Sequence, residues 1–108
     1  MTLLFRATLA CTGIPEASGA AGAVEVRAEF ENRPWHRNAN AWWQDGVLFL
    51  SAENDYDPMG TALLDEFSDA IVACVELESN DIAFRIESIV PFEERTRFDS
   101  EKIVWVKA

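Results

Sequence analysis

The chain has 108 residues, with 19 Asp and Glu against 9 Lys and Arg for a net charge of −10, and is 49% hydrophobic and 26% charged. That length holds one domain with one core, residues 1–108, and that composition excludes wholesale disorder. So negative a balance repels nucleic acid and anionic membrane, and attracts a cation or a basic protein.

Leu3, Phe5, Ala7, Leu9 and Cys11 alternate with Arg6 and Thr8, which predicts a first strand over Leu3 to Cys11. Thr8-Leu9-Ala10-Cys11 has a faint likeness to a lipoprotein cleavage box, but Arg6 interrupts the apolar run and no basic stretch precedes it. An export signal is therefore rejected. No segment is long enough to span a bilayer, and two cysteines, Cys11 and Cys74, without metal-ligand spacing fit free thiols and a cytoplasmic location.

Thr12 to Gly22, rich in Gly, Ala, Ser and Pro, reads as a loop. Val24, Val26, Ala28 and Phe30 then alternate with Glu25, Arg27, Glu29 and Glu31, which predicts a half-buried second strand. In Asn32 to Asn40, Pro34 argues against a central strand. Arg33, Trp35, His36 and Arg37 have the chemistry of a phosphate or base-stacking site, but the net charge opposes nucleic acid. The expectation is a loop whose arginines pair with the protein's own acids.

Ala41 to Gln44, Asp45-Gly46 and Val47 to Glu53 predict strand, tight turn, strand. Trp42 and Trp43 are consecutive on a strand and must point to opposite faces. One is expected beneath the helix, while the other needs a different cover or a partner.

Asn54 to Gly60 leads into the helix, with Asp57-Pro58 as N-cap and first helical residue, or Thr61 as cap. Asp55, Asp57, Gly60 and Glu66 fall at positions 1, 3, 6 and 12 of the EF-hand spacing. Met59 stands where an oxygen ligand is required, so no calcium is expected there; no other metal and no cofactor is expected either.

Thr61 to Glu78 has the clearest helical period. Leu63, Leu64, Phe67, Ala70, Ile71, Cys74 and Val75 share one side, while Asp65, Asp69 and Glu76 share the other with Glu66 at its edge. No base stands among those acids. Asp65 and Asp69 are an i,i+4 like-charge pair, and Glu76 and Glu78 sit where the helix dipole disfavours negative charge. Nine of the nineteen acids, and no base, lie between Glu53 and Asp81, leaving the rest of the chain nearly balanced.

After a stop at Asn80 and Asp81, Ile82, Phe84, Ile86, Ser88 and Val90 alternate with Arg85 and Glu87, predicting a strand that Pro91 closes. A charged connection and a last strand over Glu101 to Lys107 complete the chain. The expected order is β-β-β-β-α-β-β. It is an α+β domain with a mainly antiparallel sheet of five to six strands and one amphipathic helix on one face. The opposite face is then solvated, curled on itself, or used for association, a homodimer included.

For function, a single loop histidine without a nucleophile motif or a Gly-rich phosphate loop points away from an enzyme. The segregated acids point to docking of a basic protein. Candidate partner-binding residues are Asp55, Asp57, Asp65, Glu66, Asp69, Glu76 and Trp43. Asp45-Gly46-Val47-Leu48-Phe49-Leu50, then Glu53-Asn54-Asp55-Tyr56-Asp57-Pro58, then an acidic helix, resembles the immunity proteins of bacterial polymorphic-toxin and contact-dependent inhibition systems. That resemblance covers about the middle third of the chain and implies a job more than an architecture: binding one cognate toxin domain, often a nuclease, and occluding its active site. The alternative is a small-molecule- or ion-binding domain or subunit working from the sheet face opposite the helix.

Overall fold

The computed structural model describes residues 2–74 and 82–94. Four strands and two helices follow in the order β1 (Thr2–Thr12), α1 (Glu16–Glu31), β2 (Arg37–Gln44), β3 (Val47–Asn54), α2 (Thr61–Cys74) and β4 (Ala83–Glu94). The sheet order is β2-β3-β1-β4 with every neighbouring pair antiparallel. β1 and β2 therefore run alike with β3 between them, and β3 and β4 run alike with β1 between them. These two interleaved β-α-β units are the connectivity of the ferredoxin-like arrangement.

The α+β class stands, but the described chain has four strands and a second helix where five to six strands and one helix were predicted. The difference lies in α1, which occupies both the predicted loop over Thr12 to Gly22 and the predicted strand over Val24 to Phe30. Its buried residues are Gly19, Gly22, Ala23, Val26 and Phe30, a helical spacing that begins among small residues carrying little apolar signal. The alternation of Val24 and Ala28 with charges was coincidental, since both are exposed. Gly19 is required by a close approach: a Cβ there would lie 2.2 Å from the Trp43 ring. Trp43 is thus the tryptophan beneath a helix, α1, and Trp42 faces the other side of the sheet, stacked on Phe49 with centroids 5.3 Å apart.

The hairpin forms as expected. Asp45 and Gly46 take φ of 51° and 78°, the left-handed pair a two-residue turn between twisted strands demands. Leu48, Leu50 and Ala52 on β3 lie opposite Cys11, Leu9 and Ala7 on β1. All six are buried under the helices, with Val26, Phe30, Leu63, Phe67 and Ile71 closing the core from above.

β4 departs from the predicted pattern twice. Thr8 pairs with Ser88 but Leu9 with Ile86, so Glu87 is an extra residue that shifts the alternation by one. Phe84 and Ile86 face the helices, and beyond the bulge Ile89 does, while Ser88 and Val90 turn to the open face. The strand also continues through Pro91, which lies opposite Phe5, to Glu94. An edge strand tolerates a proline whose missing N–H would face away from the ladder, and β4 is an edge among the described strands. The predicted strand over Glu101 to Lys107 and the end of the predicted helix, Val75 to Glu78, lie outside the described residues.

Candidate protein-interaction site

The acidic stretch meets the basic, aromatic loop at one end of the fold. α1 and α2 run in opposite directions, which brings the exit of α1 and the following turn beside the start of α2. Glu66 is the hub. Its Oε1 accepts from Arg33 Nε at 3.1 Å and from Trp35 Nε1 at 3.2 Å, and its Oε2 lies 2.6 Å from His36 Nε2. Arg33 Nη1 also donates to the Glu29 carbonyl and carboxylate, and the guanidinium lies over the Phe30 ring. The expected pairing of a loop arginine with the protein's own acids is realised here.

The His36 side chain is fully closed from solvent. Its tautomer follows from Asn54, whose Oδ1 accepts the Tyr56 and Asp57 backbone N–H groups at 3.2 and 3.0 Å. The Asn54 Nδ2 must then be the group that donates to His36 Nδ1 at 3.3 Å. Nδ1 is therefore an acceptor and Nε2 carries the proton given to Glu66. Both ring nitrogens are engaged within the fold, so this histidine is not poised to take a proton from a substrate.

The same network shapes the entry to α2. Asp57 is buried, and its Oδ2 accepts the Leu63 N–H at 2.9 Å, while its carbonyl accepts from Gly60 N–H at 3.2 Å. Asp57 does cap the helix, but from farther upstream than expected. Gly60, with φ of 74°, holds the position immediately before the helix, and its carbonyl accepts the first helical bond from Leu64. Among the described residues no buried side-chain nitrogen or oxygen lacks a hydrogen-bond partner.

The remaining predicted site residues are placed as follows. Asp55, Asp65 and Asp69 are exposed, with no ion pair to any described residue. Glu66 is partly exposed and, contrary to its reading as a residue without basic neighbours, is held by Arg33. Trp43 is half-buried against Gly19, and Glu76 lies outside the described residues. Sequence reasoning weighed Trp35 only within a phosphate or base-stacking loop and passed over Tyr56. They are about half exposed, their rings 6.0 and 6.1 Å from that of His36. The available signal was a lone histidine next to a tryptophan, but nothing local ties it to Tyr56 or to Glu66, thirty residues away.

The Tyr56 phenol is pushed up by partial burial first and then by Glu66, Asp57 and Asp55. The Cys74 thiol is likewise raised by burial, then by Glu29 and Glu25 on the facing helix, with Arg33 opposing. Among the described residues no group of three or more His, Cys, Asp and Glu side chains could hold a metal ion, and no helix is long and apolar enough to cross a membrane. Comparison with protein-family models, with curated proteins and with solved structures finds no match to this chain.

Proposed function

We propose that the chain is a non-enzymatic immunity or inhibitor protein that binds a cognate basic toxin domain through its acidic end. The observation that carries this reading is the pairing of exposed Asp55, Asp65 and Asp69, which have no ion pair to any described residue, with two half-exposed aromatics on a base whose buried polar side chains are hydrogen-bonded. Aromatic anchors ringed by charge are the usual make-up of a protein docking site, and free carboxylates speed encounter with a basic partner. The engagement of both His36 nitrogens supports a binding role over a catalytic one.

The test is affinity purification of the tagged chain from its source cells, followed by association-rate measurements on the basic protein recovered. Asp65→Asn with Asp69→Asn should slow association about tenfold at low salt and little at high salt. Parent-like rates at low salt would make these acids a solubility surface only. A second reading, small-molecule binding on the open sheet face, draws on the Trp42–Phe49 stack there. It predicts that Trp42→Ala abolishes function while the double Asp variant retains it.

A further inference from the structure

We propose that Trp35 and Tyr56, together with the Glu66 carboxylate that both neighbour, form a clasp for a single arginine side chain of the basic partner. This rests on the docking reading above and names the group that the acidic end receives. The two rings are 51% and 47% exposed, yet neither is loose: the Trp35 indole N–H is fixed on Glu66, and the Tyr56 backbone N–H on Asn54. Both rings pack on the same closed imidazole, whose Nε2 lies on Glu66, so the two rings and the carboxylate surround one residue.

Glu66 keeps capacity for such a guest. A carboxylate offers about four acceptor positions. Three here are filled, two on Oε1 and one on Oε2, and the side chain is 22% exposed. Asp55, beside Tyr56, and Asp65, beside Glu66, have no cation of their own among the described residues. Arg33 is a base on Glu66 itself. It is directed at Glu66 and Glu29 and lies over Phe30, and the tyrosine phenol is still pushed up, by burial first and then by Glu66, Asp57 and Asp55.

The chemistry selects arginine over the other cations. A divalent metal needs several converging oxygens, which the described residues do not supply. An ammonium can sit over one ring, but a planar guanidinium stacks on an aromatic face while its edge donates to carboxylates, which matches two rings with Glu66 and Asp55.

The experiment is a titration of the isotope-labelled protein with acetyl-Arg-Arg-Arg-amide, followed by amide and indole N–H spectra, with tri-lysine and tri-citrulline peptides as controls. The arginine peptide should move the Trp35 indole and Tyr56 amide signals saturably and bind about two- to fivefold more tightly than the lysine peptide. The citrulline peptide should leave both signals in place. Tyr56→Ser should erase the arginine preference and Tyr56→Phe retain it. If the Asp65 and Asp69 amides move while Trp35 and Tyr56 do not, or if arginine and lysine peptides bind alike, the clasp is wrong and the acidic docking surface stands. If none of these signals moves, both readings fall.

Discussion

Gly19 and Asn54 each decide more than their size suggests. At Gly19 an added methyl would gain about 1 kcal/mol of helix propensity but would enter the Trp43 ring. Overpacking of this kind costs about 1–3 kcal/mol, so Gly19→Ala should be destabilising on balance. Trp43→Leu should remove that penalty in a double-mutant cycle measured by chemical denaturation, and additive losses would place the clash elsewhere. Asn54 sets the His36 tautomer by giving its oxygen to two backbone N–H groups. Nitrogen-15 spectra recorded where imidazoles are neutral should show the proton on Nε2 and none on Nδ1. Asn54→Ala should then cost about 2–4 kcal/mol, because two turn amides and a ring nitrogen lose their partner together.

The elements differ in how they were written into the chain. α2 was legible because Leu63, Phe67, Ala70 and Ile71 are large or apolar at helical spacing, and all four are buried. The hairpin was legible because a two-residue Asp-Gly turn is local chemistry. α1 was hidden because its inner face begins with Gly19, Gly22 and Ala23, chosen for closeness to the sheet and not for apolar area. The phase of β4 was hidden because one bulge residue, Glu87, held by Arg85, turns the later side chains over. In the candidate site the exposure of Asp65 and Asp69 could be read from helical period. The joining of Arg33, Trp35 and His36 to Glu66 could not, since it depends on how two helices pack side by side. The legible helix gives the firmest prediction at this scale. Phe67 is fully buried and meets Phe84 edge-on at 5.5 Å, so Phe67→Ala should lose about 3–5 kcal/mol in a denaturation series.

Across the whole molecule, stability is tied to alkaline pH through the centre of the sheet. Cys11 is fully buried on β1, and burial pushes its thiol from the ordinary 9.0 up to about 11. Between those values the unfolded chain has lost a proton that the folded chain keeps. The contribution is thus whole below pH 9 and is lost as pH rises toward 11, by up to about 2–3 kcal/mol. Denaturation midpoints across that range should fall more steeply for the parent than for Cys11→Ala, and equal slopes would mean that the thiol is not held dry.

The central place of β1 also sets an order on biosynthesis. β1 leaves the ribosome before the other elements, yet one of its edges waits for β3 and the other for β4, whose pairing runs from Thr2 with Glu94 to Thr12 with Ala83. The hairpin of β2 and β3 can close as soon as it emerges, but until residue 94 is outside the exit tunnel the long edge of β1 that β4 later covers has no partner. Translation arrested just before β4 should therefore yield a chaperone-dependent, protease-sensitive intermediate, and release of about a dozen more residues beyond the tunnel should abolish that sensitivity in one step.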